Sequence, residues 1–283
     1  MNPKHELRSK SITPKKRLFQ HSASMNMNQI CQSIDANGVA TIEINRPDKR
    51  NAFDKSVVLE LTQAFTEVSQ STSARIVVLR GAGPVFCSGG DIHWMRQVAD
   101  SDFEQRHAAA ELIIKLMYTV YTCPFPTIAA VQGAAFGGGV GLLACCDFVH
   151  TTKSLKWATN RGELGVIPAC IAPFIIERLG RTKTIQLLLH AQQMTASEGL
   201  AIGLIDEIHE DIQAMNSRIS AVQNELLQAS PEVQRGAKEF IRKVHSTELA
   251  SLSSLAATTM ANSWASSDCK KDMLAFVEKV PHA

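Results

Sequence analysis

Two glycine-rich stretches are the parts of this sequence best suited to chemistry. Gly81 to Gly90 follows a β-branched run, Gly133 to Gly139 follows a second apolar run, and both open onto helical patterns. Such loops present backbone N–H groups, and the first turn of a helix adds partial positive charge, so either stretch suits an anion. The common anion loops do not fit. A Walker-type phosphate loop needs Gly-Lys followed by Ser or Thr, which neither stretch contains. A dinucleotide fingerprint needs G-x-G-x-x-G; Gly81-Ala-Gly-Pro-Val-Phe86 fails at its last position, and Gly137-Gly-Gly-Val-Gly141 has the wrong spacing. A serine nucleophile elbow needs glycine two residues before the serine, and Ser88 has Phe86 there. Two loops that each turn one N–H onto a single oxygen would form an oxyanion hole. The plainer alternative is that these glycines only allow tight turns and close helix packing.

The elements that must position these loops are readable from periodicity. Gln29 to Ile34 and Val39 to Ile44 flank Asn37-Gly38 and predict a hairpin. Asp54 is a good N-cap for a helix carrying Val57, Val58, Leu61, Phe65 and Val68 on one face. Arg75 to Arg80 reads as a buried strand, a short helix starts at Asp91, and a longer one spans Glu104 to Tyr121. Pro124 and Pro126 enforce a break before the strand Thr127 to Gln132, so the unit of strand, glycine loop and helix is used twice. Further strands are expected at Asp147 to Thr151 and Leu204 to Ile208. Helices are expected at Ile171 to Leu179, Thr182 to His190 and Ala196 to Ile202, and only helices from Asp211 onward. The expected organisation is a disordered basic tail over 1–28, a core over 29–210 and a helical C-terminal region over 211–283.

Composition bounds the function. The 283 residues are 45% hydrophobic with 29 Lys+Arg against 27 Asp+Glu, an ordinary globular balance. The first 24 residues hold six of the bases and only Glu6 as acid, so the rest carries a net −3 and gives no whole-domain case for binding nucleic acid or an anionic membrane. Three readings of the tail stay open: an organellar transit peptide, residues upstream of a true start at Met25 or Met27, and a nucleic-acid-binding arm. No apolar run approaches the roughly 20 residues of a membrane-spanning helix. The seven cysteines, odd in number, mostly within apolar stretches and without a C-x-x-C pair, read as a reducing compartment and as small buried hydrophobes, with a metal site poorly supported.

Five spaced motifs occur in one order: Asn45-Arg-Pro-Asp-Lys-Arg-Asn-Ala-Phe53, Val85-Phe-Cys-Ser-Gly-Gly-Asp-Ile-His-Trp-Met95, Val131-Gln-Gly-Ala-Ala-Phe-Gly-Gly-Gly-Val-Gly141 with Cys146-Asp147, Leu164-Gly-Val-Ile-Pro168, and Gly203-Leu-Ile-Asp206. Over about residues 30 to 280 the chain resembles the enoyl-CoA hydratase/isomerase (crotonase) superfamily, most closely its methylglutaconyl-CoA hydratase-like group. The resemblance implies an α/β fold, a spiral of β-β-α turns followed by a helical region that builds homotrimers, often paired into hexamers. It also implies an acyl-CoA or enoyl-CoA substrate, with CoA part of that substrate and no separate cofactor or metal. The family's oxyanion donors fall on the backbone N–H groups of Gly90 and Gly138. Asn51, Ala52 and Phe53 match the segment along CoA, and Ser88 with Asp91 brackets the loop near its adenine and pantetheine path. The location implied is cytoplasmic, or the mitochondrial matrix if residues 1–24 are a transit peptide.

The same resemblance exposes a break. Hydration of an enoyl thioester needs an acid/base pair, and typical hydratases use two glutamates. Their positions here are Gly141 and Arg161. Arginine stays protonated and cannot act as a general base. Glu163, two residues on, and His93, beside the first loop, are the remaining candidates for proton transfer, each with an ordinary structural reading beside it. The expectation is an enoyl-CoA hydratase with altered acid/base residues; the alternatives are an enoyl-CoA isomerase and an acyl-CoA-binding pseudoenzyme. In the enzyme, Arg161 would suit a distal substrate carboxylate.

Overall fold

The computed structural model describes residues 29–159, 167–190 and 192–245. The tail, Arg161, Glu163, Cys269 and the C-terminal end therefore lie outside the described residues. The chain opens with an antiparallel hairpin of β1 (Ile30–Ile34) and β2 (Val39–Ile44). Asp35 Oδ1 closes its turn by accepting from the N–H groups of Asn37 and Val39, each at 2.9 Å. Helix α1 (Lys55–Gln70) starts at its Asp54 N-cap and buries Val57, Val58, Leu61, Phe65 and Val68, as the spacing predicts. Strand β3 (Ile76–Gly81) pairs in parallel with β2, and β4 (Thr127–Val131) pairs in parallel with β3.

Between β3 and β4 run α2 (Ile92–Ala99) and α3 (Phe103–Tyr121). After β4 come β5 (Ala134–Phe136), α4 (Gly138–Cys145), β6 (Phe148–Thr152) and β7 (Lys156–Ala158). The remainder comprises α5 (Ala172–His190), β8 (Met194–Thr195), α6 (Ala196–Ile202), β9 (Glu207–His209), α7 (Ile212–Leu227) and α8 (Pro231–His245). Among the described residues two sheets result, one ordered β1-β2-β3-β4-β6-β9 and a smaller one ordered β5-β7-β8.

The large sheet is covered on both faces, which explains the uninterrupted apolar run of β3. Val77 and Leu79 face the main core with α1, whereas Ile76 and Val78 face Met215, Ile219 and Val222 of α7. Each such fully buried side chain contributes roughly 1.5–3 kcal/mol relative to exposure. Helix α7 thus belongs to the packing of the sheet. No helix among the described residues is long and apolar enough to cross a membrane.

Several sequence expectations need correction. Gly133 to Gly139 is not a simple turn: Ala134–Phe136 pairs with β7, because its main-chain groups must find partners between two loops. By contrast, the two helices expected on either side of Gly180 are present as the two parts of α5, separated by the non-helical Gly180 at φ 75°, ψ 164°. The strand expected at Leu204 to Ile208 is β9, Glu207–His209. Leu204 and Ile205 both donate to the Gly199 carbonyl in the turn that ends α6, so they fill the core before the strand can start. Among the described cysteines, Cys87, Cys123, Cys145 and Cys146 are buried and Cys31 and Cys170 half-buried, all as free thiols.

Two polar features inside this fold have measurable consequences. Asn51 is fully buried at φ 55°, and its amide donates to the carbonyls of Ala82 (2.9 Å) and Val85 (2.7 Å) while accepting from Arg46 N–H (2.9 Å). It staples the loop after β3 to the segment before α1. Asn51→Ala strands these groups and is expected to lower unfolding stability by about 3 kcal/mol, measured by urea titration.

At the sheet edge, His150 Nδ1 lies 3.1 Å from His209 Nε2, with ring centres 5.4 Å apart and planes only 15° apart. The rings therefore meet end to end across one shared hydrogen bond. Burial holds both imidazoles below their ordinary pKa, against the opposing pull of Glu207, and Arg218 adds to the lowering. The unfolded chain, with histidines near 6.5, thus takes up protons first on acidification. Stability is present above about pH 6.5 and is lost as pH falls below it. His209→Gln is expected to flatten the melting temperature between pH 7 and 5 relative to wild type, read by calorimetry.

Candidate active site

Three chain segments are sewn together by main-chain hydrogen bonds. Ser88 N–H donates to Arg50 O (3.0 Å), Phe53 N–H to Gly89 O (2.8 Å), and Asp91 N–H to Phe53 O (2.7 Å). On the other side Cys87 N–H donates to Ala134 O and Phe136 N–H to Cys87 O, both at 3.0 Å. These are two isolated parallel bridges, Phe53 with Gly90 and Cys87 with Ala135. In a parallel bridge one residue bonds the two neighbours of the residue it faces, so that facing residue turns its own N–H and C=O the other way. Gly90 is in that position. Its N–H has no partner among the described residues.

Gly138 reaches the same condition by a different route. It is the first residue of α4, where N–H groups have no partner within the helix. Gly137 just before it donates to Ala158 O (2.9 Å) and adopts φ 50°, ψ −112°, a conformation that requires glycine. A side chain at Gly138 would press on the Phe53 ring, 2.8 Å from Cε2. Gly90 and Gly138 line one cavity of about 380 Å³. Two unbonded N–H donors beside a common space are what a developing oxyanion requires, and the positive end of α4 adds to their field.

The rest of the lining is mostly apolar. Phe53, Trp94, Met95, Ile113 and Phe136 surround the donors, and Ser88, Thr159 and Cys170 are the polar side chains among the described lining residues. Burial raises the Cys170 thiol above its ordinary pKa, so it stays protonated at neutral pH. Cys87, beneath the loops, is pushed up to about 12 by burial and acts as packing.

The other expected site residues separate by role. Phe53 and Ser88 line the cavity. Asn51 and the buried Ala52 lie behind it, Asn51 with its amide fully used within the protein. Asp91 caps α2 through Oδ1, accepting from His93 N–H (2.9 Å) and Trp94 N–H (3.3 Å). Burial opposes its ionisation, but these N–H groups and the Arg46 guanidinium outweigh that and hold its carboxyl below the usual range. His93 is exposed on α2 and is not among the cavity residues.

Gly141 sits behind the cavity wall. A Cβ there would lie 2.5 Å from Ile171 Cγ2 and 2.9 Å from Met117 Sδ, so apolar side chains fill the space a glutamate would need. Residue types alone did not point to Ile171 and Met117, since each sits in an unremarkable apolar pattern. Arg46 was visible only as part of the Asn-Arg-Pro match.

Outside this cavity, His150, Glu207 and His209 place donor atoms within 4.8 Å of one another. Their bonds are already made: the imidazoles face each other head-on, and Arg218 Nε donates to both Glu207 oxygens at 3.2 and 3.1 Å. That cluster is closed by hydrogen bonds.

Comparison with known proteins agrees with this geometry. The family model described as enoyl-CoA hydratase/isomerase matches residues 35–283. A crotonyl-CoA hydratase of Syntrophomonas wolfei is 28% identical over 85% of this chain and 92% of its own length. A mitochondrial Delta(3,5)-Delta(2,4)-dienoyl-CoA isomerase of Mus musculus is 30% identical over 71% of this chain and 64% of its own. Among solved structures, an enoyl-CoA hydratase from Shewanella pealeana superposes with a TM-score of 0.84 at 28% identity, covering 89% of this chain and 94% of that one. Pseudomonas aeruginosa AtuE does so at 0.85 and 30%, covering 89% and 97%. The spiral of strand, glycine loop and helix, the paired N–H donors and the family match together make this chain a member of the enoyl-CoA hydratase/isomerase family, with the crotonase fold.

Proposed function

We propose that this protein binds acyl-CoA thioesters and moves protons on them through an enolate whose oxygen is held by the N–H groups of Gly90 and Gly138. The observation that carries this reading is the pair of N–H groups on one cavity that have no partner among the described residues. When a base removes a proton next to a thioester carbonyl, negative charge builds on its oxygen, and each preorganised donor lowers that barrier by roughly 3–4 kcal/mol. The apolar walls keep water off the charge and accept the acyl chain. Phe53 and Ser88 line the same cavity as the donors, as expected of residues beside a bound CoA.

The choice between hydratase and isomerase turns on carboxylates. A two-glutamate hydration needs one at position 141, where Ile171 and Met117 leave no room. Isomerisation of a double bond needs only one base, which takes a proton from one carbon and returns it to another. Glu163 is the candidate for that base, and enoyl-CoA isomerisation is the reading this residue set supports best. A methylglutaconyl-CoA hydratase-like activity would need Arg161 to hold a distal carboxylate and Glu163 to serve alone. The filled space at Gly141 also favours, as second reading, a protein that binds acyl-CoA without turnover.

Trans-3-enoyl-CoA substrates of C5 to C10 and trans-2-enoyl-CoA substrates of C4 to C10, incubated in deuterated water, separate these readings. The expected result is deuterium at the α-carbon and interconversion of the double bond, with Glu163→Gln at least about 100-fold slower. Binding of these thioesters without exchange or turnover would establish the non-catalytic reading instead. Gly138→Ala must displace the Phe53 ring or the donor itself, and kcat is expected to fall by about 100-fold with KM changed much less. Gly141→Glu is expected to destabilise by about 1–3 kcal/mol through overpacking, without gain of hydration, as read by melting and by turnover of crotonyl-CoA.

A further inference from the structure

We infer that Arg46 is the positioning residue of the oxyanion site, a single guanidinium that locks the two chain segments whose pairing turns the Gly90 N–H into the cavity. The inference rests on the acyl-CoA reading above. Arg46 Nη1 donates to Ala52 O at 3.0 Å and reaches Asp91 Oδ2 at 3.3 Å, while Nη2 reaches Asp54 Oδ2 at 2.8 Å. Those three acceptors stand on both sides of the Phe53–Gly90 bridge. Ala52 and Asp54 flank Phe53, and Asp91 follows Gly90.

The two carboxylates divide their work in the same way. Asp54 Oδ1 caps α1 through Ser56 N–H (2.9 Å) and Val57 N–H (3.0 Å), and Asp91 Oδ1 caps α2 through His93 and Trp94. In each case Oδ2 is left for Arg46. One side chain thereby ties together the starts of two helices and the bridge between them. Helix α2 also carries Trp94 and Met95 of the cavity wall, and Met95 lies against Gly90, so a shift at Asp91 reaches both the donor and the wall.

The geometry calls for arginine. A planar fork can serve divergent acceptors at once, whereas a lysine ammonium is a point charge on a flexible stem. Arg46 is not a phosphate anchor for CoA, because two carboxylates already surround its guanidinium and leave the group net negative. It does not line the cavity and so acts through Gly90.

The test uses hexanoyl-CoA carrying a 13C carbonyl, bound to the full chain and read by isotope-edited difference infrared spectroscopy, with affinities for hexanoyl-CoA and free CoA from calorimetry. Wild type is expected to shift the bound carbonyl band to lower wavenumber. Arg46→Lys and Arg46→Ala are expected to lose at least about half of that shift, with kcat down about tenfold to 100-fold and KM and free-CoA affinity within about threefold. Asp91→Asn keeps the helix cap but removes the ion pair, and is expected to show the same spectroscopic loss. If Arg46→Ala does not fold, Arg46→Lys and Asp91→Asn carry the test.

Variants that keep the full carbonyl shift and kcat, and lose only melting temperature, would overturn the positioning role and leave Arg46 a structural staple. A wild type that binds hexanoyl-CoA without any carbonyl shift would instead overturn the oxyanion reading on which the inference rests.

Discussion

The arrangement depends on one short main-chain bridge, in which Phe53 donates to Gly89 and accepts from Asp91. Two hydrogen bonds of 2.8 and 2.7 Å take up the groups on either side of Gly90 and leave its own pointing outward. Bridges of this kind are too short to persist alone, so the surrounding structure must hold the segments in register. Asn51 does so from within, spending its amide on Ala82 and Val85, and the Cys87–Ala135 bridge does so from the other flank.

The second donor comes from a helix start, and its geometry is tied to the first by packing. The Phe53 ring lies so close to Gly138 that no side chain fits between them, and a Cβ at Gly137 would stand 3.9 Å from Gly89 Cα. The same residue thus makes the bridge that exposes one donor and presses against the helix that exposes the other. This explains why two successive glycines are needed in the second loop: the requirement at Gly137 is conformational, and at Gly138 it is one of space.

The cavity also explains the missing carboxylate. With Gly141 under Ile171 and Met117, the interior near the donors is apolar, which strengthens their pull on a developing charge. Burial also keeps the neighbouring thiols of Cys87 and Cys170 protonated. In the proposed reaction, proton transfer comes from a group outside this apolar wall, since the sheet-edge histidines are engaged with each other.

The hairpin, α1 with its Asp54 cap, the buried β3 and the two glycine loops were legible from local pattern, because turn chemistry, capping and hydrophobic period are properties of neighbouring residues. The family motifs carried the positions of Gly90, Gly138, Gly141 and Arg161. Neighbouring residues could not reveal that Asn51 faces inward, that Arg46 joins two helix caps, that Ile171 fills the space over Gly141, or that Leu204 and Ile205 enter the core ahead of β9. Most of these contacts join residues 30 or more positions apart, and the others depend on which way a turn enters or leaves a helix. The sequence by itself determined the two glycine loops and the helices that follow them, where backbone donors can be left free. Only the tertiary structure decided that they share one cavity, because that depends on the bridge, the packing and the ion pairs that bring separate segments together.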